Sequence, residues 1–266
     1  MTSIRSILGK RLRSYVYIIS DIMYKFEHNW SIGIFHGTSP FNLLPVEDNG
    51  KAVLTANDAK DIPAAFVGDP FMIRANDRWY MFFEIYNTKY NKGEIAYATS
   101  YNGLTWNYEK RIISEKYHLS YPYILQLDEE YYIIPETISV HSVQLYKALY
   151  FPTNWIVTDT LLKGEYVDSS IFYYNNKWWL FSFEVNEQAL LLFYSDELRC
   201  PWVKHPKNPI IKGNPHKARP AGRVILLEGR IFRYAQDCYP EYGKQVYAFE
   251  IIELTPSTYE EKIVSE

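Results

Sequence analysis

Carboxylates recur at fixed places along this sequence. The stretch "GDPFMIRANDRWYMFFE" (residues 68–84) opens on Asp69 and closes on Glu84, with Asn76-Asp77 between two apolar runs. In the same frame, "YPYILQLDEEYYIIPE" runs from Tyr121 to Glu136 and "DSSIFYYNNKWWLFSFE" from Asp168 to Glu184. A fourth stretch, "RPAGRVILLEGRIFRYAQD", runs from Arg219 to Asp237. Two carboxylates across a wet cleft are the equipment of glycosidic chemistry: one protonates the leaving oxygen while the other activates water or attacks. Aromatic side chains suit it as well, because sugar rings present apolar faces, although most aromatics in a chain this size fill the core. The catalytic candidates are therefore Asp69, Asp168, Glu136 and Glu84.

Register decides which acids share a face. Counting five residues on from Trp79, Tyr131, Trp178 and Ile231 gives Glu84, Glu136, Phe183 and Gln236. Glu184 and Asp237 lie one residue later and join that face only if a bulge intervenes, since one residue flips a strand side chain. Tyr121, at the second anchor, and Gln236 are binding candidates, with Glu184 and Asp237 conditional on the bulge. The cationic side is concentrated in "HKARPAGR" and "FRYAQDC", which hold His216, Arg219, Arg223 and Arg233. A guanidinium can grip a carboxylate or phosphate bidentately. Two readings of Arg219 stand: it meets an anionic ligand group, such as a uronic acid, sugar phosphate or nucleotide sugar, or it pairs with Asp168 or Asp69.

Such residues need a scaffold that repeats. The anchors Asp69, Tyr121, Asp168 and Arg219 are 52, 47 and 51 residues apart. Each unit reads as a strand, a polar turn and an aromatic second strand. A third strand follows ("GEIAYATS", "SVQLYKAL", "ALLLFYSD", "QVYAFEII"), and Trp106, Trp155 and Trp202 stand near a fourth in the first three units. Four strands per unit of roughly 50 residues is the signature of a β-propeller blade. Residues 27–65, with "NWSIGIFHG" and "KAVLTAND", are expected to build a fifth, less regular blade, and "YEEKIVSE" to complete or close a sheet. The expectation is an all-β, five-bladed β-propeller over residues 27–266, preceded by a short helical segment over residues 1–26.

Composition bounds the rest. With 266 residues, 47% of them hydrophobic, the chain can bury one large core. Its formal net charge of −3 gives no overall field for nucleic acid. Two cysteines, Cys200 and Cys238, form neither a disulfide framework nor metal-ligand spacing, which points to a reducing, cytoplasmic setting. The N-terminal Arg5, Lys10, Arg11 and Arg13 precede the short apolar run "YVYIIS", interrupted by Asp21, which fits a secretory signal poorly. A basic, partly amphipathic helix touching the inner face of a membrane stays open beside one packed on the domain. Phosphate-cradling glycine loops, GxSxG and HExxH motifs are missing and the six histidines are scattered, so no metal or cofactor is expected.

The motifs "GDPFMI…WYMFFE", "SYPYIL…YYIIPET", "DSSIFYYNNKWWLF" and "ARPAGR…RYAQDC…YG", in that order, resemble the N-terminal propeller domain of plant glucosamine inositolphosphorylceramide transferases. That domain also occurs in bacterial proteins of envelope and polysaccharide gene sets. The resemblance covers roughly residues 28–255 and extends in fold to family 43 and 32 glycoside hydrolases, five-bladed propellers with an acidic central site. It implies that Asp69, in "GDPF", stands where family 43 carries its base. Tyr121 stands where that family has a second, tuning aspartate, and Asp168 where it has an acid glutamate. In the plant proteins sugar transfer is attributed to a separate C-terminal domain. The resemblance thus implies either an enzyme acting on a glycosidic bond, by hydrolysis or transfer, or a non-catalytic module that binds a glycan or nucleotide sugar for a partner glycosyltransferase.

Overall fold

The computed structural model describes residues 29–46, 50–199 and 201–265. The helical segment expected over residues 1–26, its membrane contact and Cys200 lie outside the described residues. Among those residues the regular structure is strand, apart from two single-turn 3-10 segments at Ala56–Asp58 and Ile138–Val140. A two-stranded ribbon, β1 (Phe35–Ser39) and β2 (Asn42–Pro45), comes first. The first sheet follows in order β3 (Ala64–Ala75), β4 (Arg78–Asn87), β5 (Lys92–Ser100) and β6 (Asn107–Ile113). The second runs β7 (Ser120–Leu127), β8 (Glu130–Glu136), β9 (Ser142–Tyr150) and β10 (Asn154–Lys163). The third has β11 (Tyr166–Tyr174), β12 (Lys177–Glu184) and β13 (Ala189–Ser195), with β14 (Val203–Lys204) and β15 (Ile211–Lys212) both pairing on β13. In the fourth, β16 (Arg219–Pro220) and β17 (Ile225–Leu227) pair on β18 (Arg230–Asp237), followed by β19 (Gln245–Leu254) and β20 (Tyr259–Ser265).

Each sheet follows the chain from strand to neighbouring strand, which is the order within a propeller blade. There are four such sheets among the described residues, not the five expected. The reason lies in where the early apolar residues go. Ile32 bridges Leu54, and Val67 on β3 donates its N–H to Trp30 O (3.2 Å). Ile32 and Leu54 enter the same buried cluster as Val67, Met81, Phe83, Ile85 and Trp106, with Ile34, Val53 and Ile62 packed against it. These side chains serve the first sheet's core, leaving a ribbon whose strands are mostly exposed. The "YEEKIVSE" segment supplies β20, which completes the fourth sheet beside β19.

The chain forms two compact units. The described parts of Lys25–Val140 and Gln144–Asp159 make one; His141–Val143 and the described parts of Thr160–Glu266 make the other. In both, the first hairpin of a sheet turns on residues with left-handed backbone: Asn76 and Asp77 (φ 49° and 58°), Asn175 and Asn176 (51° and 58°), Glu228 and Gly229 (51° and 76°). Consecutive positive φ values define the type I′ turn, whose twist matches that of paired strands, and Asn, Asp and Gly tolerate it best.

Candidate functional site

The three acid or phenol anchors share one backbone device. In β3 the register passes from Gly68↔Glu84 to Phe71↔Phe82, so Asp69 and Pro70 oppose one residue of β4. In β7 it passes from Ser120↔Glu136 to Tyr123↔Ile134 around Tyr121 and Pro122, and in β11 from Val167↔Phe183 to Ser170↔Phe181 around Asp168 and Ser169. The first bulged residue is left-handed each time: Asp69 at φ 50°, Tyr121 at 46°, Asp168 at 52°. Glycine is the usual occupant of such a bulge, and a bulky Tyr there is an outlier. The fourth sheet departs. Arg219 pairs Gln236, so it matches Gly68, Ser120 and Val167, and Pro220 rather than Arg219 is the counterpart of Asp69. Its irregularity comes later: Ala221 donates to Tyr234 O and pairing resumes at Ile225↔Phe232, with Gly222 (φ 97°), Arg223 and Val224 looped out. Arg223 sits half-buried on that loop.

In the first unit the site is built around β3 and β7. Phe71, two residues beyond Asp69, meets the Tyr121 ring edge-on with centroids 4.8 Å apart and tilts against Tyr123 at 5.2 Å. Asp69 is half-buried, whereas Tyr121, Glu84 and Glu136 are buried. Glu84 lies beside His118, whose Nε2 is 3.4 Å from Glu84 Oε1. Gly93 N–H donates to His118 Nδ1 (2.8 Å), so the neutral ring carries its proton on Nε2, toward the carboxylate. The sequence reading missed His118; its one signal was its place three residues before the "YPYI" anchor. Gly93 is the other unforeseen member. A Cβ there would fall 2.4 Å from Leu119 O, 2.6 Å from His118 Cε1 and 2.7 Å from Glu84 Oε1. Burial, then the Glu84 charge, pushes the Tyr86 phenol up from its ordinary value.

In the second unit the Asp168 carboxylate is held by two donors. Arg219 Nε donates to its Oδ2, and Gln236 Nε2 donates to the same oxygen at 3.0 Å. All three are buried or half-buried, and Arg219 also lies over the Tyr242 ring, 5.0 Å from the centroid. Arg219 thus pairs with Asp168. Asp237 is nearly covered: His216 Nδ1 is 2.8 Å away, Tyr239 N–H donates at 3.0 Å and Gln245 Nε2 at 3.2 Å. Burial raises its pKa, but the His216, Tyr239 and Gln245 contacts outweigh it, so the carboxyl sits below the ordinary aspartate value. A cavity of about 190 Å³ lies here, lined by Phe183, Gln188, Gly213, Asn214, Pro215, Arg219 and Cys238.

Three expected site residues are corrected. β12 pairs regularly with β13, and the bulge in its pairing with β11 lies on β11, so Glu184 falls on the face opposite Phe183 and instead closes the β12–β13 turn, accepting from Glu187 N–H (2.6 Å) and Asn186 Nδ2 (3.2 Å). β18 is likewise regular, so Asp237 does not share the Gln236 face. Arg233 is 2% exposed and forms a two-point pair with Glu261 of β20 while lying over Phe249 at 4.3 Å, which makes it part of the sheet's packing. Among the described residues no group of three or more His, Cys, Asp or Glu is placed to hold a metal ion. No helix among them is long and apolar enough to cross a membrane.

Comparison with known proteins agrees with this architecture. Residues 24–266 match the family described as glucosamine inositolphosphorylceramide transferase 1, N-terminal. The rice (Oryza sativa subsp. japonica) glucosamine inositolphosphorylceramide transferase 1 is 32% identical over 257 residues, covering 88% of this chain and 34% of that protein. The Arabidopsis thaliana protein of the same name is 33% identical over 258 residues, with the same 88% and 34% coverage. The chain therefore spans about a third of the length of these relatives. Among solved structures, an exo-β-1,3-galactanase from Clostridium thermocellum superposes with a TM-score of 0.68 at 12% identity, over 87% of this chain and 55% of that one. A family 117 glycoside hydrolase from Zobellia galactanivorans gives 0.59 at 17% identity, over 89% and 76%. At such identities the likeness shows the fold, an all-β propeller. By sequence, the chain belongs to the glucosamine inositolphosphorylceramide transferase 1 N-terminal family.

Proposed function

We propose that this chain acts on a glycosidic bond of a sugar or glycoconjugate, by hydrolysis or by transfer, in envelope or polysaccharide metabolism. The observation that carries this reading is the left-handed bulge repeated at Asp69, Tyr121 and Asp168. Strain of this kind is kept where a side chain must be aimed, and it gathers at functional sites. Asp69 is the base in this scheme, since it is the half-exposed acid of the three bulges. Glu136 is the acid and Glu84 a supporting carboxylate beside His118. Asp168, whose Oδ2 already accepts from Arg219 and Gln236, is given no proton-donating role in this scheme. A cytoplasmic setting belongs to the same proposal. The test is product mass spectrometry on the purified protein with a panel of oligosaccharides and nucleotide sugars, beside Asp69→Asn. Cleavage or transfer lost in the variant supports the reading; product formation unchanged by Asp69→Asn sinks the assignment of the base.

A second reading is a non-catalytic glycan or nucleotide-sugar module serving a partner glycosyltransferase. It is favoured by the engagement of the Asp168 carboxylate by Arg219 and Gln236. Sugar binding without turnover across the panel would support it.

A further inference from the structure

The cavity beside Arg219 has a chemistry that can be read from its walls. We infer that it is a subsite for one uncharged monosaccharide ring. This rests on the reading of the chain as a sugar-handling protein and adds the class of group bound. At about 190 Å³ the cavity is below the usual range of pockets for drug-sized ligands, roughly 300–1,000 Å³, and suits a single ring. Phe183, 6% exposed at the end of β12, gives it an aromatic wall. Gln188 and Asn214 give it side-chain amides. Among the described residues, the Gln188 amide makes no hydrogen bond, and Asn214 uses only Oδ1, accepting from His216 N–H at 3.0 Å. Amides both donate and accept, which is the complement of a ring of hydroxyls.

Charge decides against an anionic ligand. Arg219 is offset by Asp168, and Lys212, beside Gly213 of the cavity wall, has its Nζ 2.7 Å from Glu187. A carboxylate or phosphate placed there would compete with carboxylates already seated on those cations. Hydroxyls displace only water from the two amides.

Cys238, partly buried and lining the cavity, is a built-in reporter. In a Cys200→Ser background, its alkylation by iodoacetamide is followed with glucose, galactose, mannose, glucuronate or glucose 1-phosphate present. A neutral sugar at about ten times its dissociation constant is expected to slow alkylation roughly ten-fold by occupancy. Gln188→Gly suits the left-handed backbone at that position (φ 50°), and Asn214→Asp keeps the acceptor for His216 N–H. Each is expected to weaken protection by about three- to ten-fold, the worth of one neutral hydrogen bond. Asp69→Asn is expected to leave protection unchanged, so loss of turnover and loss of this subsite are separate results. Protection by none of the neutral sugars, protection that survives both amide variants, or stronger protection by glucuronate or glucose 1-phosphate would each overturn the inference.

Discussion

Gly93 shows how tightly single residues are specified. It stands where the Leu119 carbonyl, the His118 ring and the Glu84 carboxylate converge, all closer than a Cβ tolerates. Gly93→Ala is expected to cost about 1–3 kcal/mol, the usual penalty of overpacking, seen as a lower urea midpoint at unchanged slope. If His118 orients Glu84, the same variant also disturbs the His118 ring resonances in NMR. Asp237 supplies a pH signature. Its folded pKa lies below the unfolded one, so it contributes stability above the unfolded aspartate value, and that contribution disappears as pH falls through the folded value. Asp237→Asn should therefore lower stability near neutral pH and flatten its dependence below about pH 4. Denaturation midpoints measured between pH 3 and 7 decide this; parallel curves for variant and wild type would contradict it.

At the scale of elements, the bulges separate what strain costs from what it does. A left-handed position costs an L-residue roughly 1–2 kcal/mol, and glycine escapes that cost while losing some chain entropy. Asp69→Gly is therefore expected to keep stability within about 1 kcal/mol of wild type, whereas a β-branched Asp69→Val lowers it by about 1–2 kcal/mol. If both variants lose turnover while only the second loses stability, the carboxylate and not the backbone shape does the chemistry. A stability loss as large in Asp69→Gly would make the side chain structural.

At the scale of the whole molecule, the fourth sheet is tied to the chain's last described strand. Arg233 on β18 reaches past the intervening β19 to a bidentate pair with Glu261 on β20, with side chains 3% and 13% exposed. Burial works against the Arg233 charge, yet Glu261 and Tyr259 raise its pKa above the ordinary arginine value. Removing one partner of such a pair leaves a buried charge uncompensated. Glu261→Gln is expected to cost about 3 kcal/mol or more, whereas replacing both members with apolar residues costs far less. Thermal denaturation of the single and double variants tests this.

What the sequence determined by itself was the repeat. Alternating apolar and polar residues, turn residues able to adopt positive φ, and the spacing of the aromatic strands all act locally, so strands, hairpins and the count leading to Glu84 and Glu136 were legible. The number of sheets was not. Ile32, Val53 and Leu54 look like strand residues in isolation, and only packing decides that they cover the first sheet's core, leaving four blade sheets among the described residues. Register beyond each hairpin was equally hidden. The one-residue offset of Arg219, and the regular course of β12 and β18 that turns Glu184 and Asp237 away, depend on hydrogen bonds between strands. The fate of the charges lies furthest from the sequence: that Arg219 meets Asp168, Arg233 meets Glu261 and His118 meets Glu84 is set by side chains 51, 28 and 34 residues apart, brought together only by the tertiary fold.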